Sequence, residues 1–108
     1  MAGFSDDEIL KAVIQINKIG GGIVVVDGDD ILEMLELPIA GLMSKESVEI
    51  VSKKTDRLIQ ATRKLGCTMK DPLMALSFLA LPVIPKLKLT DQGLVDVEEF
   101  KFVDLFLK

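Results

Sequence analysis

Four consecutive β-branched residues, Ile23-Val24-Val25-Val26, preceded by Gly20-Gly21-Gly22 and followed by Asp27-Gly28, constrain the fold of this chain more than any other stretch. Such a run leaves no polar position to face water, so it predicts a strand covered on both faces, in the middle of the fold. The glycines before it supply backbone freedom, and Asp27-Gly28 signals a reversal into the next apolar run. Residues 31–37 then form the returning, half-exposed strand of a hairpin. Pro38, which has no N–H to donate, stops that strand.

The remaining elements follow from capping and periodicity. Ser5-Asp6-Asp7-Glu8 has the form of a capping box, in which the Ser5 hydroxyl accepts from the Glu8 amide and Glu8 reaches back to Ser5. A helix is predicted over 6–19, with Ile9, Val13 and Ile16 at helical spacing and Leu10 alongside. Ser44 is the predicted N-cap of a longer helix carrying Val48, Val51, Thr55, Leu58, Thr62 and Leu65 as one buried stripe and ending at Gly66. Asp71-Pro72 opens a short, almost wholly apolar helix, which is expected to be buried on several sides. Residues 86–90 and 94–97, joined by Asp91-Gln92-Gly93, read as a second hairpin, and the apolar residues from Phe100 to Phe106 as a docked terminus. The predicted class is α+β: a small mixed or antiparallel sheet of two hairpins, packed against two longer helices and one short buried helix. The 108 residues are expected to form one domain.

Composition removes several function classes. A net charge of −4 without a basic stripe, and the absence of Trp and Tyr, argue against a nucleic-acid partner. No apolar run approaches the ~20 residues of a membrane helix, which argues against a membrane partner. The single cysteine, Cys67, cannot close an intramolecular disulfide, which favours a reducing cytoplasmic compartment. It reads as a small apolar residue, because nothing nearby supplies an imidazolium to activate it. Histidine is absent altogether, so a catalytic triad or a catalytic zinc or iron site within this chain is not expected.

The motif-like stretches have plain structural readings. Gly20-Gly21-Gly22 precedes a strand, whereas phosphate loops follow one and open a helix. Asp27, Asp29 and Asp30 lack the rest of an EF-hand loop, and acids are common in such turns. Asp91 and Asp96 bracket a hairpin without a supporting acid or base. Lys53, Lys54, Asp56, Arg57, Arg63 and Lys64 form a solvated helix face. No catalytic and no metal-binding residue is assigned. Two uncharged, proline-bounded segments stand apart: 38–43 and 81–85. Their residues Ile39, Leu42, Met43, Val83 and Ile84 either fill the core beneath the hairpins or form a domain or subunit interface.

Several runs together resemble the C-terminal domain of bacterial and archaeal adenine deaminases, members of the amidohydrolase superfamily. They are NKIGGGIVVV (17–26), LPIAGLMS (37–44), Leu65-Gly66-Cys67 and, above all, DPLMALSFLALPVIPKLKLTDQGLVDV (71–97). The resemblance implies a parent enzyme of purine salvage that hydrolyses adenine to hypoxanthine and ammonia. A divalent metal (Mn, Fe or Zn) would be held by His and Asp residues of a (β/α)8 barrel N-terminal to this region. That barrel is absent from this chain, which needs no cofactor of its own and is expected to be inactive alone. The implied partners are the N-terminal barrel of the same polypeptide and, in a homo-oligomer, a second copy. The competing expectation is a stand-alone interaction or oligomerisation module without catalytic activity.

Overall fold

The computed structural model of the chain describes residues 2–106. The chain falls into two compact units, Met1–Pro72 and Leu73–Lys108. Helices and small antiparallel sheets are mixed in sequence order, so the α+β expectation holds, but the two hairpins lie in two separate sheets.

In the first unit α1 (Asp6–Lys18) leads into the ribbon of β1 (Gly22–Asp27) and β2 (Asp30–Glu36), and α2 (Val48–Lys64) follows. The ribbon is in antiparallel register from Gly22↔Glu36 to Asp27↔Asp30, with a bulge that leaves Leu32 unpaired. Gly28 opens the two-residue turn at φ +53°, a conformation that glycine adopts without steric cost. Packing α1 against β1 and α2 against both strands buries Val25, Leu35, Leu58 and Ala61. Leu58, at 0% exposure, is the centre of this core.

The β-branched run does form a strand, but not one covered on both faces. Ile23, Val24 and Val26 are half-buried, and among the described residues β1 pairs with β2 alone. A two-stranded ribbon is covered by helices only where they reach it, so of the four residues Val25 alone is sealed.

At the start of α1 the Ser5 Oγ accepts from the Glu8 amide at 3.2 Å, as the capping box predicts. Glu8 does not reach back to Ser5. Its Oε1 accepts from the Gly28 amide at 2.7 Å, while Lys11 Nζ donates to the Gly28 carbonyl and pairs with Asp29. Both polar groups of the glycine at the turn are thus held by α1. This contact explains why Glu8 leaves its own helix terminus: a turn amide with no ladder partner is satisfied instead.

The predicted N-cap of α2 is displaced. Ser44 caps a preceding turn, accepting from the Glu46 amide at 3.1 Å, and Ser47 takes the N-cap position. The Glu49 carboxyl accepts from the Ser47 hydroxyl and from its own backbone N–H, which holds it below the usual carboxylate range. Of the predicted stripe, Leu58 is buried and Val51, Thr55 and Thr62 are half-buried. Val48 and Leu65 at its two ends are exposed. Thr55 and Thr62 donate their hydroxyls to the carbonyls of Val51 and Ile59, so both donors are satisfied within the helix.

In the second unit α3 (Pro72–Ala80), which starts at the junction, is followed by β3 (Leu87–Thr90), β4 (Gly93–Asp96) and β5 (Lys101–Val103). β4 is central, paired with β3 from Leu87↔Asp96 to Thr90↔Gly93 and with β5 from Leu94↔Val103 to Asp96↔Lys101. The Asp96 Oδ1 accepts from both the Glu98 and Glu99 amides at 3.0 Å and turns the chain from β4 into β5. The terminal apolar stretch is therefore partly a third strand, yet Phe100, Phe102, Leu105 and Phe106 are exposed.

The short helix is not buried on several sides as expected: along α3 only Pro72 is sealed, while Met74, Leu76, Phe78 and Leu79 are exposed. A helix apolar all round needs cover on several sides, and the described residues of the second unit do not supply it.

Candidate docking surface

The loop 38–43 is shaped by its own backbone. The Ile39 N–H donates to the Met43 carbonyl at 3.2 Å, and the Ile39 carbonyl accepts from the amides of Leu42 and Met43 at 3.0 and 3.1 Å. The tight reversal places Ala40 at φ +56°, a left-handed conformation that costs an L-residue roughly 1–2 kcal/mol. It turns the apolar tip outward: Leu42 is 78% exposed, and Ile39 and Met43 are exposed as well. The base is fixed to the ribbon by the Leu37 amide, which donates to the Gly21 carbonyl at 2.9 Å. A β-carbon on Gly21 would stand 2.8 Å from the Gly41 α-carbon, so glycine is what lets the loop approach β1.

In the second unit 81–85 forms an irregular turn closed by the Ile84 amide on the Leu81 carbonyl at 3.4 Å. Val83 is exposed and Ile84 half-buried. Four of the five residues singled out from the sequence thus face solvent, each set within its own unit. None belongs to the buried core of the first unit. Sequence reasoning missed Leu76, Phe78 and Leu79 of α3 as surface residues; their signal, a helix apolar all round, was taken to mean burial.

The polar groups are engaged elsewhere. A depression of about 330 Å³ beside the first hairpin turn is lined by Ser5, Asp7, Glu8, Lys11, Gly28 and Asp29, whose principal charges are committed to the turn contacts described above. The Lys11 ammonium lowers the Asp29 pKa, first by hydrogen bonding and then by its charge, and occupies the position a cation would take. Among the described residues no group of three or more His, Cys, Asp or Glu could hold a metal ion. Asp91 accepts from the Gln92 side-chain amide at 2.9 Å. Cys67 is half-buried. No helix among the described residues is long and apolar enough to cross a membrane.

Comparison with known proteins identifies the parentage of these surfaces. The adenine deaminase C-terminal domain family matches residues 1–101. A protein of Archaeoglobus fulgidus named adenine deaminase is 53% identical over 103 residues, which is 95% of this chain and 18% of that protein. Namesakes in Desulfatibacillum aliphaticivorans and Methanothrix thermoacetophila are 48% and 47% identical, over 98% and 100% of this chain and 19% of their own lengths. No solved structure matches. The chain therefore spans about a fifth of the relatives it resembles, and it belongs to the adenine deaminase C-terminal domain family.

Proposed function

We propose that this chain is the C-terminal domain of an adenine deaminase, which hydrolyses adenine to hypoxanthine and ammonia in cytoplasmic purine salvage, and that it supports a catalytic barrel located earlier in the same polypeptide. The observation that carries this reading is the near-complete coverage of the chain by relatives named adenine deaminase, of whose length it is 18–19%. The chemistry of this chain agrees: it has no histidine, and its acids serve turns and surface ion pairs. The residues present do not fit the divalent metal that the resemblance implies, so that metal, whether Mn, Fe or Zn, is assigned to the preceding part. Ile39, Leu42, Met43, Val83 and Ile84 are the domain's docking residues for that part or for a second copy in a homo-oligomer.

Assays of ammonia release from adenine test the reading. The full-length polypeptide loaded with metal deaminates adenine, and the 108-residue chain with added Mn²⁺, Fe²⁺ or Zn²⁺ does not. Deamination by the isolated chain would refute it. Leu42→Asp combined with Ile84→Asp lowers activity or assembly of the full-length enzyme while leaving the melting of the isolated chain unchanged. Unfolding of the isolated chain would return these residues to the core.

A further inference from the structure

The exposed residues of α3 fall on opposite sides of one short helix. At about 100° per residue, Met74 and Phe78 lie on one side of the axis and Leu76 and Leu79 on the other. Their exposures are 52% and 51% against 38% and 65%, so the second unit leaves both sides of the helix open to solvent. Ser77, the one polar side chain of the helix, donates its hydroxyl to the Leu73 carbonyl at 2.9 Å. The helix therefore presents neither a charge nor an unsatisfied side-chain group that would oppose burial. An ordinary docking helix needs one apolar stripe and keeps a wet face; a helix with two opposed apolar stripes is stable only when enclosed.

We propose that α3 is clasped on both sides by the part of the parent polypeptide that precedes this domain, making the helix an inserted anchor and not only a surface contact. This rests on the reading of the chain as a C-terminal domain. The occupant is chosen because some four fifths of the relatives' length lies outside this chain, the chain accounting for 18–19% of it. A body of that size can offer a two-sided apolar cleft. A two-fold contact with a second copy would bring one face of the helix to its counterpart and leave the other wet.

Hydrogen exchange read by mass spectrometry on residues 73–81 tests the proposal, comparing the 108-residue chain with the full-length polypeptide. Exchange in α3 is expected to be at least ~100-fold slower in the full-length polypeptide, because opening there requires undocking. Phe78→Asp and Leu79→Asp, one on each side, should each restore fast exchange in α3 and leave the amides of β1, β2 and α2 protected. Neither should change the melting of the isolated chain. Should the aspartates prevent folding of the full-length polypeptide, Phe78→Ser and Leu79→Ser make the same comparison. Equal exchange in the two proteins overturns the proposal. So does an effect from only one side, or concentration-dependent protection in the isolated chain, which would indicate a second copy. The readout does not involve adenine, so loss of the deaminase reading and loss of the clasp are separate results.

Discussion

Truncating Leu58 to alanine tests where the first unit is held together. The side chain is at 0% exposure between α2 and the ribbon, so three carbon atoms leave a sealed environment. Their transfer accounts for roughly 2.4 kcal/mol at about 0.8 per carbon. A residual void of ~50 Å³ adds roughly 1 kcal/mol at about 24 cal/mol per Å³. The expected loss, about 3.5 kcal/mol, is a large part of the ~5–15 that a domain possesses. In urea melts followed by far-UV circular dichroism, the midpoint should fall by roughly 1.5–2 M at a slope near 2 kcal/mol/M. Leu65→Ala supplies the control, because the sequence places it on the same stripe while the structure leaves it 46% exposed. That substitution should cost no more than about 1 kcal/mol. Equal shifts for the two variants would refute the reasoning, since they would show that the stripe is buried uniformly and that Leu58 is not its centre.

Three further outcomes are expected. Val25→Asp places a carboxylate in the one sealed position of β1 and should abolish the cooperative melt of the first unit; a soluble variant with an intact transition would show that the strand is peripheral. Gly22→Ala would bring a β-carbon to 2.2 Å from the Leu35 carbonyl oxygen, whereas Gly20→Ala meets nothing within 4 Å, so the first should lower the melting temperature clearly more than the second. The Asp29 pKa is lowered below its ordinary 3.8 in the folded chain, so the stabilisation from its pairing with Lys11 is complete above that value and is lost as pH falls through the folded one. The gap in urea midpoint between the parent chain and Lys11→Met should therefore be present at pH 7, small because the pair is exposed, and should close in acid; a gap that widens on acidification would contradict the assignment.

Local chemistry was legible in the sequence, and shared surfaces were not. Ser5 capping α1, the reversal near Gly28, the helix opening at Pro72 and the turn before Gly93 each depend on a few neighbouring residues whose backbone preferences act alone. The exposure of the two apolar loops was legible for a similar reason: proline-bounded apolar segments are conspicuous in sequence, and the structure leaves Ile39, Leu42, Met43 and Val83 in solvent. Periodicity also identified what each element needs to bury, but burial depends on a partner that no local pattern names. Tertiary packing decided that Glu8 serves Gly28 instead of its own helix end, that one valine of the β1 run is sealed, and that Ala61 joins Leu58 in the core. It also decided that the apolar α3, for which the sequence demands cover, keeps Met74, Leu76, Phe78 and Leu79 exposed.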